Sequence, residues 1–270
     1  VDCIRESTDH TFGAMIQLRQ RSTNKKTWDL IEKLLIEKAV FNLILDIKFP
    51  GNDGMDLFFK KKNQSEMVTD LLTSAWPCIK KHSKKLISKD RHTGAAKMEY
   101  STYIEIAPVH KDDLVFLQPQ YTGTGRSDLM LISKLSTNIH LVHPSSRVNI
   151  TVEVSASKYF NKPFQVLFSS KDLIRFVVLD INPVVEAAGE KTDATDQKSP
   201  TRYEAEVAKE SDFDSTFLVV THVFNLQPGD VALGYFLADS TLEALDELSF
   251  DAPDVVLVKK TSETDKKKGG

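Results

Sequence analysis

Residues Phe12 to Lys38 read FGAMIQLRQRSTNKKTWDLIEKLLIEK, and the hydrophobic period changes within this stretch. The first nine residues alternate between apolar and polar side chains, which is typical of a half-buried strand. The apolar residues Trp28, Ile31, Leu34 and Leu35 then recur at helical spacing, and Thr27 before them is the predicted N-cap. The stretch therefore predicts a strand followed by an amphipathic helix.

The same two periods continue on the carboxyl-terminal side. The runs FNLILDIKF and GMDLFFKKK flank the turn signal PGNDG, and SEMVTDLLTSAW has helical spacing behind Ser65 as a predicted N-cap. The run KMEYSTYIEIAPV predicts a further strand, and KKLISK before it is a candidate extra strand. Residues 1–108 therefore predict a βαββαβ order, a ferredoxin-like α/β sandwich.

Beyond Pro108 the helical period disappears and short β-rich runs follow, from DDLVFLQPQ to PDVVLVKK, separated by turn signals such as HPSSR. This pattern predicts two consecutive small β-barrels, at residues 109–165 and 166–260. The polar segment 186–202 predicts an insertion in the second barrel, and residues 261–270 a disordered tail. The predicted fold class of the whole chain is α+β.

Composition sets limits on the type of protein. The 270 residues are 41% hydrophobic, enough for a sizeable core, yet they contain no run of about 18 apolar residues and no secretory-signal layout. We therefore expect no membrane partner and no secretion. The two cysteines, Cys3 and Cys78, are far apart, which favours a reducing compartment and predicts no zinc site within this chain.

Charge is unevenly distributed along the chain. Residues 1–111 carry 19 Lys or Arg against 14 Asp or Glu, net +5, and the remaining 16 and 24 give residues 112–270 net −8. The stretch CIKKHSKKLISKDRHTG concentrates the positive charge, which indicates either a surface for an anionic partner or a solvated face. The candidate phosphate-binding residues are Lys80, Lys81, Lys84, Lys85, Lys89, Arg91 and His92, with Lys25, Lys26, Lys61 and Lys62 as accessories.

Catalytic patterns are scarce. The run TGTGRS lacks the third glycine of a dinucleotide fingerprint and the Lys-Ser/Thr pair of a phosphate loop, so a turn is expected there. Asp90 and His92 have no accompanying nucleophile signature, which leaves a hydrolase as the third hypothesis after two binding functions. Leu242, Leu245, Leu248 and Phe250 have the spacing of an export peptide, but a packed amphipathic helix has the same spacing and is favoured.

Several dense blocks resemble one protein family. IQLRQRSTNKKTWDLIEKLL, DGMDLFFKKKNQSEMVTDLL, LISKDRHTG, IEIAPVHKDDLVFLQP, PGDVALGYFLA and PDVVLVKK resemble the adaptor family for nuclear export of the large (60S) ribosomal subunit, the nonsense-mediated decay protein three family. The similarity runs in order from about residue 3 to 260 and is weakest around residues 186–202.

The resemblance implies a function. Members bind the joining face of the immature large subunit together with other late assembly factors, occlude transfer-RNA sites and recruit an exportin, moving between nucleus and cytoplasm; they use no small-molecule substrate and are not enzymes. Their later part resembles the hypusine-containing elongation factor, an SH3-like barrel followed by an OB-fold. A translation factor acting on mature ribosomes is the alternative.

The resemblance also implies segments outside these residues. The family has an amino-terminal zinc module, of which Cys3 would be one orphaned ligand, so zinc is expected only there and no cofactor in this chain. The export and import signals lie in the family's carboxy-terminal tail, and exportin recruitment is expected through that tail.

Overall fold

The computed structural model describes residues 12–22, 26–51, 54–89, 92, 96–123, 125–184, 202–239, 248 and 252–261. These residues form a mixed α and β structure that is mostly β, with three five-stranded sheets and few helices. They divide into two compact units. The first comprises the described residues up to Val109 with Leu135–Ile139 and Ser155–Pro163, and the second comprises His110–Lys134, His140–Val154 and the described residues from Phe164 onward.

The first sheet has the strand order β2-β3-β1-β5-β4. Its elements are β1 (Ala14–Arg19), α1 (Lys26–Glu37), a short 3-10 helix (Phe41–Leu43), β2 (Ile44–Lys48), β3 (Gly54–Phe59), α2 (Lys62–Ala75), β4 (Cys78–Lys89) and β5 (Ala96–Ile106). The predicted alternation of β1 is confirmed, since its residues are buried in turn. Both helices pack on one face of the sheet, where Ile31 of α1 and Val68 of α2 share a core with Ile16 and Ile104.

The end of this sheet that contains β4 and β5 differs from what a βαββαβ order predicts. The neighbours β2, β3 and β1 pair antiparallel, as a split βαβ pattern expects. The candidate extra strand is present as β4, twelve residues long, and it forms an antiparallel hairpin with β5. Because this added strand reverses the chain once more, β5 lies between β4 and β1 and pairs with β1 in parallel.

Both predicted N-caps were wrong. Helix α1 begins at Lys26, so Thr27 is a buried residue inside it. Helix α2 begins at Lys62, and the buried Ser65 donates its hydroxyl hydrogen bond to the Lys62 carbonyl at 2.7 Å. The backbone N–H of Lys61 is instead satisfied by Gln64 Oε1 at 3.0 Å, which lets the helix start earlier than the apolar period does.

The second and third sheets belong to the later part of the chain. The second contains β6 (Leu114–Leu117), β7 (Asp128–Leu135), β8 (Asn138–Val142), β9 (Thr151–Ser155) and β10 (Gln165–Phe168) in the order β10-β6-β7-β8-β9. Two short helices accompany these strands, α3 (Pro119–Thr122) and α4 (Ala156–Asn161). The third contains β11 (Ile174–Pro183), β12 (Tyr203–Lys209), β13 (Asp212–Thr221), β14 (Val231–Phe236) and β15 (Val255–Lys260) in the order β13-β12-β11-β14-β15.

The third sheet curls on itself, because β13 also lies against β15. Phe176, Val207 and Leu257 are among the side chains that fill its interior. A close backbone approach explains Gly234 of β14, where a Cβ atom would lie 2.6 Å from the Val256 carbonyl oxygen. A further apolar cluster joins the two later sheets, with Leu114 and Leu131 from the second against Tyr235 and Val256 from the third.

The predicted barrel boundaries at residues 108 and 165 stay a prediction. The predicted insertion 186–202 lies outside the described residues except for Arg202, and the predicted tail lies outside them except for Thr261. Among the described residues, none of the helices has the length and apolar character that crossing a membrane requires.

Candidate nucleic-acid interface

Strand β4 presents the basic stretch at one end of the first sheet. It is last in the strand order, so among the residues that the structure describes one of its edges has no neighbouring strand in that sheet. Side chains from Lys80 to Leu86 are all exposed, although helix α4 also lies near the strand. Lysine on an edge strand serves two purposes, because it binds anions and it prevents unwanted pairing with other chains.

The register with β5 divides the lysines of β4 into two rows. Directly paired residues of an antiparallel ladder project to the same side of the sheet. Lys80 is opposite Ile104, and Ile104 is buried under the helices, so Lys80, His82 and Lys84 lie on the helix-bearing side. We call these three the helix-side row. Lys81 and Lys85 form the opposite row on the other side.

A bulge adds one more lysine to the helix-side row. The register shifts between Leu86, opposite Met98, and Ser88, opposite Lys97. A bulge inserts one unpaired residue and so reverses the alternation beyond it. Lys89 is opposite Ala96, which lies on the same side as Met98, and Lys89 therefore joins Lys80, His82 and Lys84.

The helix-side row borders an open groove between β4, β5 and the first turn of α2. The groove has a volume of about 510 Å³. Its lining residues include two lysines, one histidine, one tyrosine, one glutamate, one serine and one threonine: Lys62, Lys84, His82, Tyr100, Glu66, Ser65 and Thr102. Ser83 and Ser101 also line it, but they are opposite each other in the register and their side chains project to the other side of the sheet. The groove thus combines positive charge, hydrogen-bonding groups and an aromatic ring.

Specific contacts hold several groove side chains in place. The Lys62 ammonium lies 2.9 Å from Glu66 Oε1 and 5.2 Å from the centre of the Tyr100 ring. The hydrogen bond that Lys62 donates to Glu66, followed by the charge of Glu66, raises the pKa of Lys62, so Lys62 is a cation throughout the neutral range. His82 Nδ1 lies 3.1 Å from Thr102 Oγ1, which orients the imidazole.

Most of the β4 lysines carry charge without a local counterion. Lys80 Nζ lies 3.7 Å from Asp70 Oδ1 on α2. Within the described part of the chain, no carboxylate forms an ion pair with Lys81, Lys84, Lys85 or Lys89. Lysines without an ion-pair partner bind a polyanion most strongly. Binding then releases counterions that were condensed on the polyanion, and no ion pair within the protein has to be broken.

The remaining predicted residues do not line the groove or lie outside the described residues. Lys26 is the first residue of α1 and Lys61 directly precedes α2; both are exposed. His92 is exposed in the segment between β4 and β5. Lys25, Arg91 and Asp90 lie outside the described residues. Of the predicted residues, Lys62 and Lys84 are the two that the groove brings together.

Among the groove residues that the sequence-based prediction missed are His82 and Tyr100. His82 was not among the predicted site residues, and Tyr100 was predicted only as part of a strand. Alternation within KKHSKK would have placed His82 on the same side as Lys80 and Lys84. Tyr100 could be found only from the hairpin register, which pairs it with Lys84.

The cysteine that the structure describes, Cys78, is partly buried. Burial raises the pKa of the Cys78 thiol to about 11, and the nearby Lys80 opposes this shift only in part. Cys78 is therefore a thiol at neutral pH and a poor metal ligand. Across the described ranges, no three His, Cys, Asp or Glu side chains come together as metal ligands would. Cys3 lies outside those ranges, so the zinc prediction stays a prediction.

The leucine-spaced segment is represented by one residue. Leu248 is partly buried against the apolar cluster that joins the two later sheets. Leu242, Leu245 and Phe250 lie outside the described residues. For Leu248, packing on the protein's own core is what the structure shows.

Comparisons with known proteins match both parts of the chain. A family model described as NMD3, second domain, matches residues 11–106, and one described as NMD3 OB-fold domain matches residues 173–260. Over 276 aligned positions, the chain is 33% identical to the 60S ribosomal export protein NMD3 of Saccharomyces cerevisiae, which covers 99% of the chain. The chain belongs to the NMD3 family.

Other NMD3 proteins agree. Identity is 33% to the 60S ribosomal export protein NMD3 of Dictyostelium discoideum and 29% to that of Homo sapiens, covering 96% and 98% of the chain. The chain spans about half the length of these relatives, 51%, 48% and 54% of the yeast, Dictyostelium and human proteins. The resemblance found in the sequence is thereby confirmed, and the OB-fold match of the NMD3 family falls on the third sheet.

Proposed function

We propose that this chain is the particle-binding part of an assembly and export factor for the large ribosomal subunit. It binds the joining face of the immature 60S particle, occludes the transfer-RNA sites, and shuttles with the particle between nucleus and cytoplasm. The observation that carries the proposal is the alignment of 96–99% of the chain with proteins named 60S ribosomal export protein NMD3. The partners would be ribosomal RNA, ribosomal proteins and other late assembly factors.

Binding would rest on charge neutralisation by β4. Its lysines lie on an exposed strand, and four of them have no ion-pair partner among the described residues. Each ribosomal phosphate that a lysine meets releases condensed counterions, which favours association at low salt. Lys26, Lys61, His92 and the residues Lys25 and Arg91 would extend this surface.

The later sheets would fill the transfer-RNA-like space as a pair of barrels. An SH3-like arrangement of the second sheet is supported by its order β10-β6-β7-β8-β9 and by helix α4 before its last strand. The third sheet would form the OB-fold, directly after the second sheet in the chain. These barrels and the α/β part act by occupying space, so the proposed role is binding rather than catalysis.

Recruitment of the exportin would depend on segments that the relatives carry beyond the aligned half. The chain would then bind the particle but not complete export alone. It would also need no cofactor, since the zinc module of the family lies in its amino-terminal part.

The test measures affinity for purified 60S particles as a function of salt. We compare the wild-type chain with Lys80→Glu/Lys81→Glu/Lys84→Glu/Lys85→Glu. Because glutamate also blocks edge pairing, this variant keeps the protective role of β4 and reverses only its charge. We expect weaker binding and a slope of log affinity against log salt that is flatter by about 0.7 to 0.9 for each phosphate that the variant no longer neutralises.

A matched control separates location from net charge. Lys33→Glu/Lys38→Glu/Lys134→Glu/Lys171→Glu makes the same change in net charge at four exposed lysines elsewhere. The control should bind nearly as the wild type does. If the two variants lose affinity equally, β4 is not the binding surface, and if neither loses affinity, the lysines only protect the sheet edge.

A translation factor is the second candidate, favoured by the strand orders of the two later sheets, which fit the barrels of an elongation factor. Sedimentation distinguishes the two. An assembly factor should co-sediment with free 60S particles, whereas a factor acting on mature ribosomes should be found with polysomes.

A further inference from the structure

The groove beside α2 contains groups that simple phosphate neutralisation does not require. The opposite row on β4 offers lysines of equal charge, whereas the helix-side row, through His82 and Lys84, borders a concave site with an aromatic ring and hydroxyl groups. Its volume of about 510 Å³ lies within the range of small-ligand sites.

The charges of the groove favour an anion. Lys62 and Lys84 supply two positive charges, and Glu66 is the one carboxylate among its lining residues. Glu66 is already hydrogen-bonded to Lys62, so Lys84 is left as a cation facing open space. The imidazole of His82 adds a hydrogen-bonding group that suits a phosphate or a ribose.

Tyr100 adds an aromatic ring to this cationic site. Its ring is half-buried, with one side packed against the core of the first unit, and the Lys62 ammonium lies over it at 5.2 Å. An aromatic ring beside lysines is how proteins bind unpaired nucleotides, because the base stacks while the cations hold the phosphate. An acidic peptide would use the lysines but would leave the ring without a matching partner.

We propose that this groove binds one unpaired nucleotide of RNA, with the base stacked on Tyr100 and the phosphate held by Lys84 and Lys62. The proposal deepens the function above and rests on it. On binding, the exposed Lys62 ammonium leaves the ring and turns from Glu66 to the phosphate. His82, held by Thr102, lies within the same groove and donates to the ribose or to the base edge.

The test uses the 270-residue chain and a fluorescein-labelled twelve-nucleotide oligouridylate, with binding followed by anisotropy over a range of salt concentrations. Lys84→Ala and Lys85→Ala are a matched pair, because the two lysines are adjacent, equally charged and exposed on opposite sides of one strand. We expect Lys84→Ala to flatten the salt slope by about 0.7 and Lys85→Ala, on the opposite side of the strand, to flatten it less. Equal effects of the two substitutions would overturn the proposal.

The ring is tested separately from the charge. Tyr100→Leu should weaken oligouridylate binding about tenfold without changing the salt slope, while Tyr100→Phe keeps the stacking face and the affinity. Since Tyr100 also packs against the core, circular dichroism melts check that the leucine variant is folded. A 4-thiouridine oligonucleotide provides a second measurement in the wild-type chain, in which the crosslink should map to Tyr100 or His82. A crosslink confined to other elements would overturn the proposal.

The outcomes separate this proposal from the function on which it rests. If 60S particles bind through β4 but oligouridylate does not bind, the nucleotide site is wrong and the particle-binding function stands. If a twelve-residue polyglutamate binds as well as the oligouridylate and shows the same loss on Lys84→Ala, the groove is a site for acidic protein. If neither particles nor oligouridylate bind, both proposals fail.

Discussion

Strands β4 and β15 both lie last in the order of their sheets, yet their surroundings are opposite. On β4 both sides of the strand are exposed from Lys80 to Leu86. On β15, Val255 and Leu257 fill the interior of the third sheet, while Val256 and Val258 fill the cluster that joins it to the second. Four consecutive apolar residues of β15 therefore contribute to two hydrophobic cores, whereas the consecutive polar residues of β4 contribute to none.

The difference separates stability from recognition. Residues of β15 are removed from water on both sides, so their apolar area contributes to the free energy of folding. Residues of β4 gain little from folding, which leaves their charge available to a partner. We expect substitutions on β15 to change stability and substitutions on β4 to change binding.

The largest contrast is expected between two leucines. Leu257→Ala on β15 should lower the free energy of unfolding by about 2 to 5 kcal/mol, because the side chain is 2% exposed and a cavity remains. Leu86→Ala on β4 should change it by no more than about 0.5 kcal/mol, since that side chain is 53% exposed. Urea unfolding of both variants makes the measurement. Similar losses would show that β4 is covered in solution.

The next effect depends on pH and concerns His222, near the second unit's core. Burial, followed by the charge of Arg202, lowers the pKa of His222 to about 4. The unfolded chain, with a pKa near 6.5, then binds more protons than the folded one as pH falls from 6.5 to 4, so stability decreases across this window. The loss is at most about 3 kcal/mol, from the cited shift.

The variant His222→Gln isolates this histidine from the carboxylates that titrate in the same range. The free energy of unfolding of the wild type minus that of the variant should decrease as the pH falls from 6.5 to 4. A difference that does not vary with pH would mean that His222 takes up its proton equally in both states.

A smaller effect is expected from one hydroxyl group. Tyr235 of β14 donates a hydrogen bond to the Asp112 carbonyl at 2.6 Å, and Tyr235→Phe should cost about 1 kcal/mol. Tyr103 of the first sheet provides the control, since its hydroxyl donates to Glu105 Oε2 at 3.2 Å in a more exposed place. The midpoint of thermal unfolding should fall less for Tyr103→Phe than for Tyr235→Phe. A larger fall for Tyr103→Phe would contradict the expectation that the more buried hydroxyl contributes more to stability.

The smallest effect on stability per substituted residue is expected from the fourfold glutamate variant of β4. All four lysines are exposed, so its free energy of unfolding should change by no more than about 0.5 kcal/mol for each substituted lysine. The same urea experiment measures it. A larger loss would show that the ion pair of Lys80 with Asp70, or packing of the lysine stems, contributes to the fold.

Much of the local structure follows from periodicity. Alternation placed β1, and helical spacing placed α1 with Ile31 and Leu35 on its buried side. The full length of β4 was not predicted, because a strand that is exposed on both sides has no alternation to reveal it. Only its part KKLISK was predicted as a strand. The predicted N-caps of α1 and α2 were wrong because a helix can begin before its apolar period begins.

The groove could not be predicted for a different reason. It depends on which residues of β4 and β5 are opposite each other and on where α2 begins, and neither is a local property of the sequence. The parallel pairing of β5 with β1 follows from the added strand and is equally non-local. Charge alone could identify the basic stretch, but it could not assign Lys84 and Lys85 to different surfaces.

The bulge between Leu86 and Ser88 affects how relatives of this chain should be aligned. A gap or an insertion of one residue before it would exchange the surfaces on which the preceding lysines lie, without changing their number. Two relatives with the same number of basic residues could therefore carry them on different sides of β4. Conversely, two relatives whose lysines stand at different sequence positions could carry them on the same side. Alignment columns in this segment carry meaning only when the position of the unpaired residue is fixed first.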